Sequence, residues 1–154
     1  MAKIRAVALD VDGVFTDGGV WWNETGEAFK RFSFRDIMGV SLGRKAGYQF
    51  ALISGEGGPL LDRLAMKLGI EAVFPDCKDK AAALRLFSER TQLPPEAICF
   101  LGDDVNDLEA LALAGLSACP ADAHASVKAK VDWVLEARGG QGAVRELLDR
   151  LMGN

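Results

Sequence analysis

Short apolar runs alternate with helical patterns along most of this sequence, and the alternation limits the folds open to it. Each apolar run is followed by a segment whose apolar residues recur every three or four positions, which predicts parallel strands joined by crossover helices. We predict strands at 6–9, 50–53, 72–74, 98–101, 116–119 and 132–135, and helices at 36–46, 59–68, 79–90, 108–114 and 143–152. The predicted fold class is therefore α/β, with a doubly wound, Rossmann-like parallel sheet.

Length and composition favour one domain spanning 1–154. The 154 residues are 49% hydrophobic, which is enough for a single core. The formal net charge is −4 and no basic stripe is present, so a nucleic-acid partner is not expected. No apolar stretch reaches the roughly 18 residues of a membrane helix and no signal peptide precedes the first strand, so we expect a cytoplasmic protein. The cysteines are predicted to be reduced: Cys77, Cys99 and Cys119.

A β-hairpin is predicted between the first strand and the first helix, at about residues 18–34. Apolar residues on either side of Asn23-Glu24-Thr25-Gly26 form the pattern of two short strands and a turn. The hairpin carries Trp21 and Trp22 side by side, and adjacent tryptophans on a projecting element need cover. They either pack on the rest of the domain or meet another subunit.

Two carboxylates leave the first predicted strand together, at Asp10 and Asp12. In an extended segment, residues i and i+2 point to the same side, so these side chains converge where a parallel strand meets its loop. Ligands bind open α/β sheets at such strand ends. Like charges this close raise each other's pKa unless a cation lies between them. The pair therefore indicates either a divalent metal ion or a carboxyl that works as an acid.

Polar residues also follow three later strands. A hydroxyl and free amides after the strand at 50–53 fit a phosphate-sized anion, and a lysine that opens a helix opposes the helix dipole unless an anionic ligand is present. Three carboxylates within five residues are too many for a helix cap alone and suit Mg²⁺. These residues are Ser54 and Gly55, then Lys80, then Asp103, Asp104 and Asp107.

The single histidine and the C-terminal region carry weaker signals. His124 has no partner for metal binding or nucleophilic catalysis, so we predict that it begins a helix. Residues from about 138 to 154 are predicted to form a glycine-rich turn and a closing helix.

Taken in order, Asp-x-Asp-Gly, Ser-Gly, Lys and Gly-Asp-Asp-x-x-Asp resemble the four motifs of the haloacid dehalogenase superfamily of phosphohydrolases. The motifs span 10–107. The resemblance implies a magnesium-dependent phosphomonoesterase that works through an aspartyl-phosphate intermediate. Asp10 would be the nucleophile and Asp12 the general acid and base. No separate cap domain is expected, because the hairpin is the only insertion for which the sequence has room.

The remaining roles are also implied by the resemblance. Phosphate would be bound by Ser54, Gly55 and Lys80. Mg²⁺ would be bound by Asp10, Asp103 and the backbone carbonyl of Asp12, while Asp107 would orient Lys80 or a metal-bound water. Asp104 would support the site or cap a helix. Neighbouring acids are expected to keep Asp12 protonated at the start of the reaction.

Within the superfamily, the chain resembles the capless phosphatases of 2-keto-3-deoxy sugar-acid phosphates, from DVDGVFTDG at 10–18 to GGQGAVRE at 139–146. The resemblance implies a homotetramer in which neighbours cap each site, with the tail and Arg145 reaching the neighbouring site. Glu56 and Lys67 match the pattern of 2-keto-3-deoxynononate 9-phosphate phosphatases. The resemblance therefore favours 2-keto-3-deoxynononate 9-phosphate as the substrate, and 3-deoxy-manno-octulosonate 8-phosphate phosphatase is the alternative.

Two other classes of protein stay open from the sequence. A receiver-type signalling domain also phosphorylates an aspartate on a doubly wound sheet, but its phosphoacceptor follows a later strand than the acidic pair. A tetramerisation module would use the same fold without turnover.

Overall fold

The computed structural model describes residues 3–154 and is built around a six-stranded parallel sheet. The strands in chain order are β1 (Ala6–Leu9), β2 (Trp21–Asn23), β3 (Gly26–Phe29), β4 (Gln49–Ile53), β5 (Ala72–Phe74), β6 (Ile98–Leu101), β7 (Leu116–Cys119) and β8 (Trp133–Val134). The order across the sheet is β5-β4-β1-β6-β7-β8, and each neighbouring pair is parallel. The predicted α/β class and parallel sheet are confirmed.

Helices connect the strands and cover both faces of the sheet. They are α1 (Phe34–Lys45), α2 (Pro59–Leu68), α3 (Lys80–Thr91), α4 (Leu108–Leu113), α5 (Ala125–Lys128) and α6 (Ala143–Met152), with 3₁₀ turns at Pro95–Ala97 and Val105–Asp107. None of the helices in the described part of the chain has the length and apolar character needed to traverse a lipid bilayer.

Two hydrophobic clusters lie on opposite faces of the sheet. Successive residues of a strand point to opposite faces. Val7 and Leu9 therefore pack with α1, α2 and α6, while Ala6 and Ala8 pack with α3, α4 and α5. Because β1 is buried on both sides, the loop that follows it is anchored by the core.

The element boundaries agree closely with the sequence pattern. Strands β1, β5, β6 and β7 and helices α2 and α6 have the predicted bounds. Most differences lie at the ends of elements: α1 begins at Phe34, the edge strand β8 is shorter than predicted, and Asp79 caps α3 by accepting a hydrogen bond from the Ala82 amide. Helix α5 was not among the helices given bounds from the sequence. All three cysteines are free. His124 caps α5 by accepting a hydrogen bond from the Ser126 amide, as predicted.

Strands β2 and β3 form the predicted hairpin, which projects from the sheet between β1 and α1. Its aromatic side chains do not pack on the rest of the chain, since Trp21 and Trp22 are each 75% exposed and Phe29 is 71% exposed. Of the two environments considered for the tryptophans, packing on the chain's own body is excluded. No cap domain accompanies the hairpin within residues 3–154.

The glycine-rich segment that precedes α6 packs on its own chain. The Gly140 amide donates to the Val14 carbonyl oxygen at 2.9 Å, next to the loop after β1. The buried carboxylate of Asp36 accepts hydrogen bonds from the amides of Gly142 at 3.3 Å and Arg145 at 3.1 Å, which satisfies the start of α6. Segment 139–142 therefore supports the loop that follows β1 in the same chain.

Candidate active site

The first strand ends at the point where the order of the sheet reverses. From β1 the sheet extends to β4 and β5 on one side and to β6, β7 and β8 on the other. Crevices form beyond the carboxyl ends of strands at such a switch point. Asp10 lies there with 5% of its surface exposed, and its amide donates to the Leu101 carbonyl oxygen of β6 at 3.0 Å.

Lys80 holds the carboxylate of Asp10. Its Nζ lies 2.9 Å from Asp10 Oδ1 and 2.7 Å from Asp107 Oδ1, and the residue is only 3% exposed. Burial lowers the pKa of Lys80, but attraction by Asp10 and Asp107 outweighs it, so the pKa is raised overall. A permanently charged ammonium is thus fixed between two buried carboxylates at the first residue of α3.

The loop after β6 brings three more carboxylates to the same edge. Asp107 is fully buried and contacts Lys80. Its Oδ2 also accepts hydrogen bonds from the backbone amides of Asp103 at 2.9 Å and Asp104 at 3.2 Å. Asp104 caps the following 3₁₀ turn by accepting the Val105 amide at 2.7 Å. The position of Asp107 therefore matches the role of orienting Lys80, and the position of Asp104 matches the role of a cap.

The donor set fits a divalent cation. Carboxylate oxygens of Asp10, Asp103 and Asp107 lie within 4.8 Å of one another, and the single ammonium of Lys80 leaves two of their negative charges uncompensated when all three are ionised. Burial raises the pKa of Asp10 well above its usual range, with a further contribution from Asp107. Burial also raises the pKa of Asp103 to about 6. A bound Mg²⁺ would relieve this cost through oxygen ligands, which it prefers.

Gly13 makes room for this acidic cluster. Its φ of +84° is a left-handed conformation, and any side chain at this position would overlap the Asp103 carboxylate. The glycine of Asp-x-Asp-Gly is therefore required for two reasons: the turn has a positive φ there, and the loop after β6 approaches too closely for a side chain.

Asp12 faces a lysine of the hairpin. Lys30 Nζ lies 2.9 Å from Asp12 Oδ1 and 3.2 Å from Glu27 Oε1. A cation thus pairs with Asp12, whereas the sequence led us to expect acids around it. The Asp12 carboxylate contacts the hairpin and is not part of the cluster of Asp10, Asp103 and Asp107.

Two adjoining cavities meet at Asp12, Gly18 and Glu56. The first, of about 260 Å³, lies over the acidic cluster and is also lined by Asp10, Gly55, Lys80, Asp103, Asp104 and Asn106. The second, of about 400 Å³, lies beneath the hairpin and is also lined by Val20, Trp22, Gly26, Glu27, Lys30, Gly57 and Asp76. Ser54 is buried and is not among the residues that line either cavity, whereas the next residue, Gly55, lines the first. The Ser54 Oγ accepts a hydrogen bond from the Glu56 amide at 3.1 Å, which shapes the loop.

Two of the predicted site residues lie elsewhere in the chain. Lys67 lies over the Phe34 ring, 5.9 Å from its centroid, and lines a separate pocket between α1 and α2. The Arg145 side chain pairs with Asp149 within α6 at 2.9 Å. Neither lines the cavities that contain Asp10 and Asp12, so a role for either at an active site stays a prediction about an assembly.

The sequence did not reveal two residues that line these cavities. Lys30 follows the second strand of the hairpin and is separated from Asp12 by both hairpin strands, so only the pattern of a returning hairpin could have suggested the pair. Asn106 lies between the acids of the last motif and lines the cavity over Asp10. The sequence signal for Asn106 was its position in the acidic motif, one residue before Asp107.

Comparisons with known proteins agree with this geometry. A family model described as haloacid dehalogenase-like hydrolase matches residues 64–147. The chain is 38% identical to 3-deoxy-D-manno-octulosonate 8-phosphate phosphatase KdsC of Haemophilus influenzae, over 99% of this chain and 84% of that one. It is 34% identical to KdsC of Escherichia coli strain K12, over 97% of this chain and 80% of that one.

Solved structures of such phosphatases have the same fold. The cobalt-bound Haemophilus influenzae enzyme superposes with a TM-score of 0.96 at 38% identity, covering 98% of this chain and 88% of that one. The Moraxella catarrhalis enzyme, in complex with a magnesium ion, a phosphate ion and a KDO molecule, superposes with a TM-score of 0.94 at 30% identity, covering 98% of this chain and 87% of that one.

A buried strand-end aspartate, a lysine fixed against it and an acidic loop opposite form a site suited to phosphoryl transfer on a Rossmann-like sheet. The chain belongs to the haloacid dehalogenase-like hydrolases, in the capless group that includes the 3-deoxy-D-manno-octulosonate 8-phosphate phosphatases. It is therefore a phosphatase, and the receiver and pure assembly classes are not supported.

Proposed function

We propose that this chain is a magnesium-dependent phosphomonoesterase that hydrolyses 3-deoxy-D-manno-octulosonate 8-phosphate. The observation that carries the reaction type is the convergence of Asp10, Lys80 and Asp103 at the carboxyl edge of the sheet. The substrate is supported by the names of relatives that match nearly the whole chain.

These relatives favour the octulosonate, which the sequence ranked second, over the nononate. The nononate expectation required Glu56 and Lys67 to act together. Glu56 lines both cavities, but Lys67 lies in a pocket between α1 and α2. Within one chain, therefore, only half of that pair faces the site.

The proposed reaction begins with Asp10. One of its carboxylate oxygens forms a bond to phosphorus while the bond between phosphorus and the sugar oxygen breaks, and Asp12 gives its proton to that oxygen. Water then gives a proton to Asp12 as its oxygen bonds to phosphorus and the Asp10–phosphorus bond breaks. Inorganic phosphate leaves, and both carboxyls return to their starting states.

The remaining residues hold the reactants in place. Lys80 and the Val11 amide both contact Asp10 Oδ1, which fixes the rotation of the nucleophile. Lys80 and the loop of Ser54 and Gly55 would bind the phosphoryl oxygens. Mg²⁺ held by Asp10, Asp103 and the carbonyl of Asp12 would supply positive charge against the repulsion between carboxylate and phosphate.

Phosphate release from the two candidate sugar-acid phosphates tests this substrate. With Mg²⁺ present, we expect kcat/KM to be at least about tenfold higher for 3-deoxy-manno-octulosonate 8-phosphate than for 2-keto-3-deoxynononate 9-phosphate. Each is measured by coupled detection of inorganic phosphate at equal enzyme concentration, with a chelator control. The reverse preference would contradict the octulosonate as substrate but would leave the proposed phosphatase mechanism in place. Hydrolysis of neither would reject the substrate class.

We also infer that copies of this chain associate through the hairpin, as a homotetramer. Trp21 and Phe29 are paired across β2 and β3 and are both largely exposed, and exposed aromatic patches commonly mark contacts. We expect light scattering to give the mass of four chains, and the Trp21→Ser/Phe29→Ser variant to give a smaller one. Met66→Ser is the matched control because Met66 is equally exposed on α2. A monomeric wild type would contradict the inference.

A further inference from the structure

Lys30 is a nearly buried cation that the proposed reaction does not yet use. It follows β3, and its side chain is only 6% exposed although the hairpin around it is open to solvent. Burial lowers the pKa of Lys30, but hydrogen bonding and attraction by Asp12 and Glu27 outweigh it and raise the pKa overall. A charged ammonium is thus held beneath the hairpin at a cost that its two carboxylate partners offset.

The contact with Asp12 is specific to one oxygen. Lys30 Nζ lies 2.9 Å from Asp12 Oδ1, and within residues 3–154 no other side chain forms an ion pair with this carboxyl. Asp12 lines both cavities, so it stands between the phosphoryl position at Asp10 and the space under the hairpin. A leaving group attached to that phosphoryl would occupy this space.

Each of the two acids in the Asp-x-Asp-Gly segment thus has its own lysine. Lys80 from α3 fixes Asp10, and Lys30 from the hairpin fixes Asp12, each at 2.9 Å. A general acid is effective only when its carboxyl stays within hydrogen-bond reach of the atom that it protonates. An unpaired Asp12 could rotate about its side-chain bonds, whereas the contact between Lys30 Nζ and Oδ1 limits that rotation. An ammonium can donate a hydrogen bond to Oδ1 both when Asp12 is a carboxylate and when it carries its proton on Oδ2, so Oδ2 is left to give that proton to the leaving-group oxygen.

We propose that Lys30 is a positioning residue that holds Asp12 toward the leaving-group oxygen and so makes proton transfer depend on the hairpin. This inference rests on the proposed function, because it gives Asp12 the role of general acid. It further predicts that Lys30 matters most when the leaving group needs a proton and hardly at all when it departs as a stable anion.

Two aryl phosphates of nearly the same shape separate these cases. Phenyl phosphate has a basic leaving group that needs protonation, whereas p-nitrophenyl phosphate releases a stabilised anion. For Lys30→Met we expect kcat/KM to fall about 10- to 100-fold with phenyl phosphate and less than about threefold with p-nitrophenyl phosphate. We expect Lys30→Arg to recover most of the loss. Lys130→Met, at an exposed lysine, is the matched control for the loss of one charge and should behave like wild type.

Three outcomes would overturn the role of Lys30. Equal losses on both aryl phosphates, together with a lower melting temperature, would make Lys30 a structural residue. A raised KM with unchanged kcat on the sugar-acid phosphate alone would make it a direct ligand of substrate. No loss on any substrate would leave the ion pair without a catalytic effect.

The Asp12→Asn variant separates failure of this inference from failure of the proposed function. If Asp12→Asn depends on the leaving group and Lys30→Met does not, the role of Lys30 is wrong and the mechanism stands. If Asp12→Asn shows no dependence on the leaving group, the assignment of Asp12 as general acid is wrong, and the inference about Lys30 is overturned with it.

Discussion

Replacing Asp10 by asparagine is expected to abolish turnover, with kcat lowered by at least about 10⁴-fold, because an amide cannot form the proposed covalent intermediate. The substitution keeps the size of the side chain, and it keeps the backbone bond from the Asp10 amide to Leu101. Phosphate release with Mg²⁺ measures the effect. Asp62→Asn, at an exposed aspartate in the first turn of α2, is the matched control and should keep wild-type activity.

The same variant is expected to be more stable than wild type without metal, and the difference should grow with pH. Burial raises the pKa of Asp10 above that of the unfolded chain, so between the two values the folded state binds more protons and stability falls as pH rises. Asparagine has no proton to lose. Thermal melts in chelator, from about pH 4 to pH 8, should therefore diverge toward higher pH.

Two results would contradict these expectations for Asp10. Residual turnover close to that of the control variant would remove Asp10 from the role of nucleophile. A melting temperature below that of wild type at every pH would mean that the ion pair with Lys80 stabilises the fold by more than the burial of the Asp10 charge destabilises it. The first concerns chemistry and the second concerns electrostatics, so each can fail alone.

Local signals explain why so much of the fold could be predicted from sequence. Helix α2 begins at Pro59, which is favoured in the first turn, and ends at Leu68, where Gly69 with its φ of +65° forms the C-cap. The central strands are short apolar runs bounded by turn residues, and their burial on both faces requires that composition. For helix α5, of four residues, only the start at His124 was predicted, because the helix is too short for a periodic pattern.

The acidic cluster could be predicted for a related reason. Parallel strands place their carboxyl ends at one edge, so Asp10 and Asp103 converge once β1 and β6 are neighbours. Side chains that depend on the path of a loop could not be placed this way. Lys30 reaches Asp12 because the hairpin folds back, and the α2 residue Lys67 contacts Phe34 at the start of α1. No pattern in the sequence fixes such contacts.

Lys80→Met should produce the largest loss of stability, because it removes the ammonium between two buried carboxylates. Asp10 and Asp107 would lose their cationic partner, so each would either bury an uncompensated charge or bind a proton, and breaking a buried pair in this way commonly costs about 3–5 kcal/mol. Loss of a cation that holds both nucleophile and phosphate is expected to lower kcat about 10²- to 10³-fold. Urea unfolding and phosphate release measure the two effects at neutral pH. Lys78→Met removes an exposed lysine two residues earlier and is the matched control.

A double variant distinguishes an electrostatic cause from a packing defect. Adding Asp107→Asn to Lys80→Met removes one of the uncompensated charges, so it should recover part of the lost free energy of unfolding while leaving activity low. The recovery should be visible although Asp107 Oδ2 also accepts hydrogen bonds from the amides of Asp103 and Asp104, because the asparagine oxygen has two lone pairs and can still accept both. If the double variant is less stable than Lys80→Met, Asp107 acts mainly through the loop after β6, and the ion pair with Lys80 is secondary. If Lys80→Met is as stable as Lys78→Met, the buried pairs do not stabilise the fold, and the cation is kept for the reaction alone.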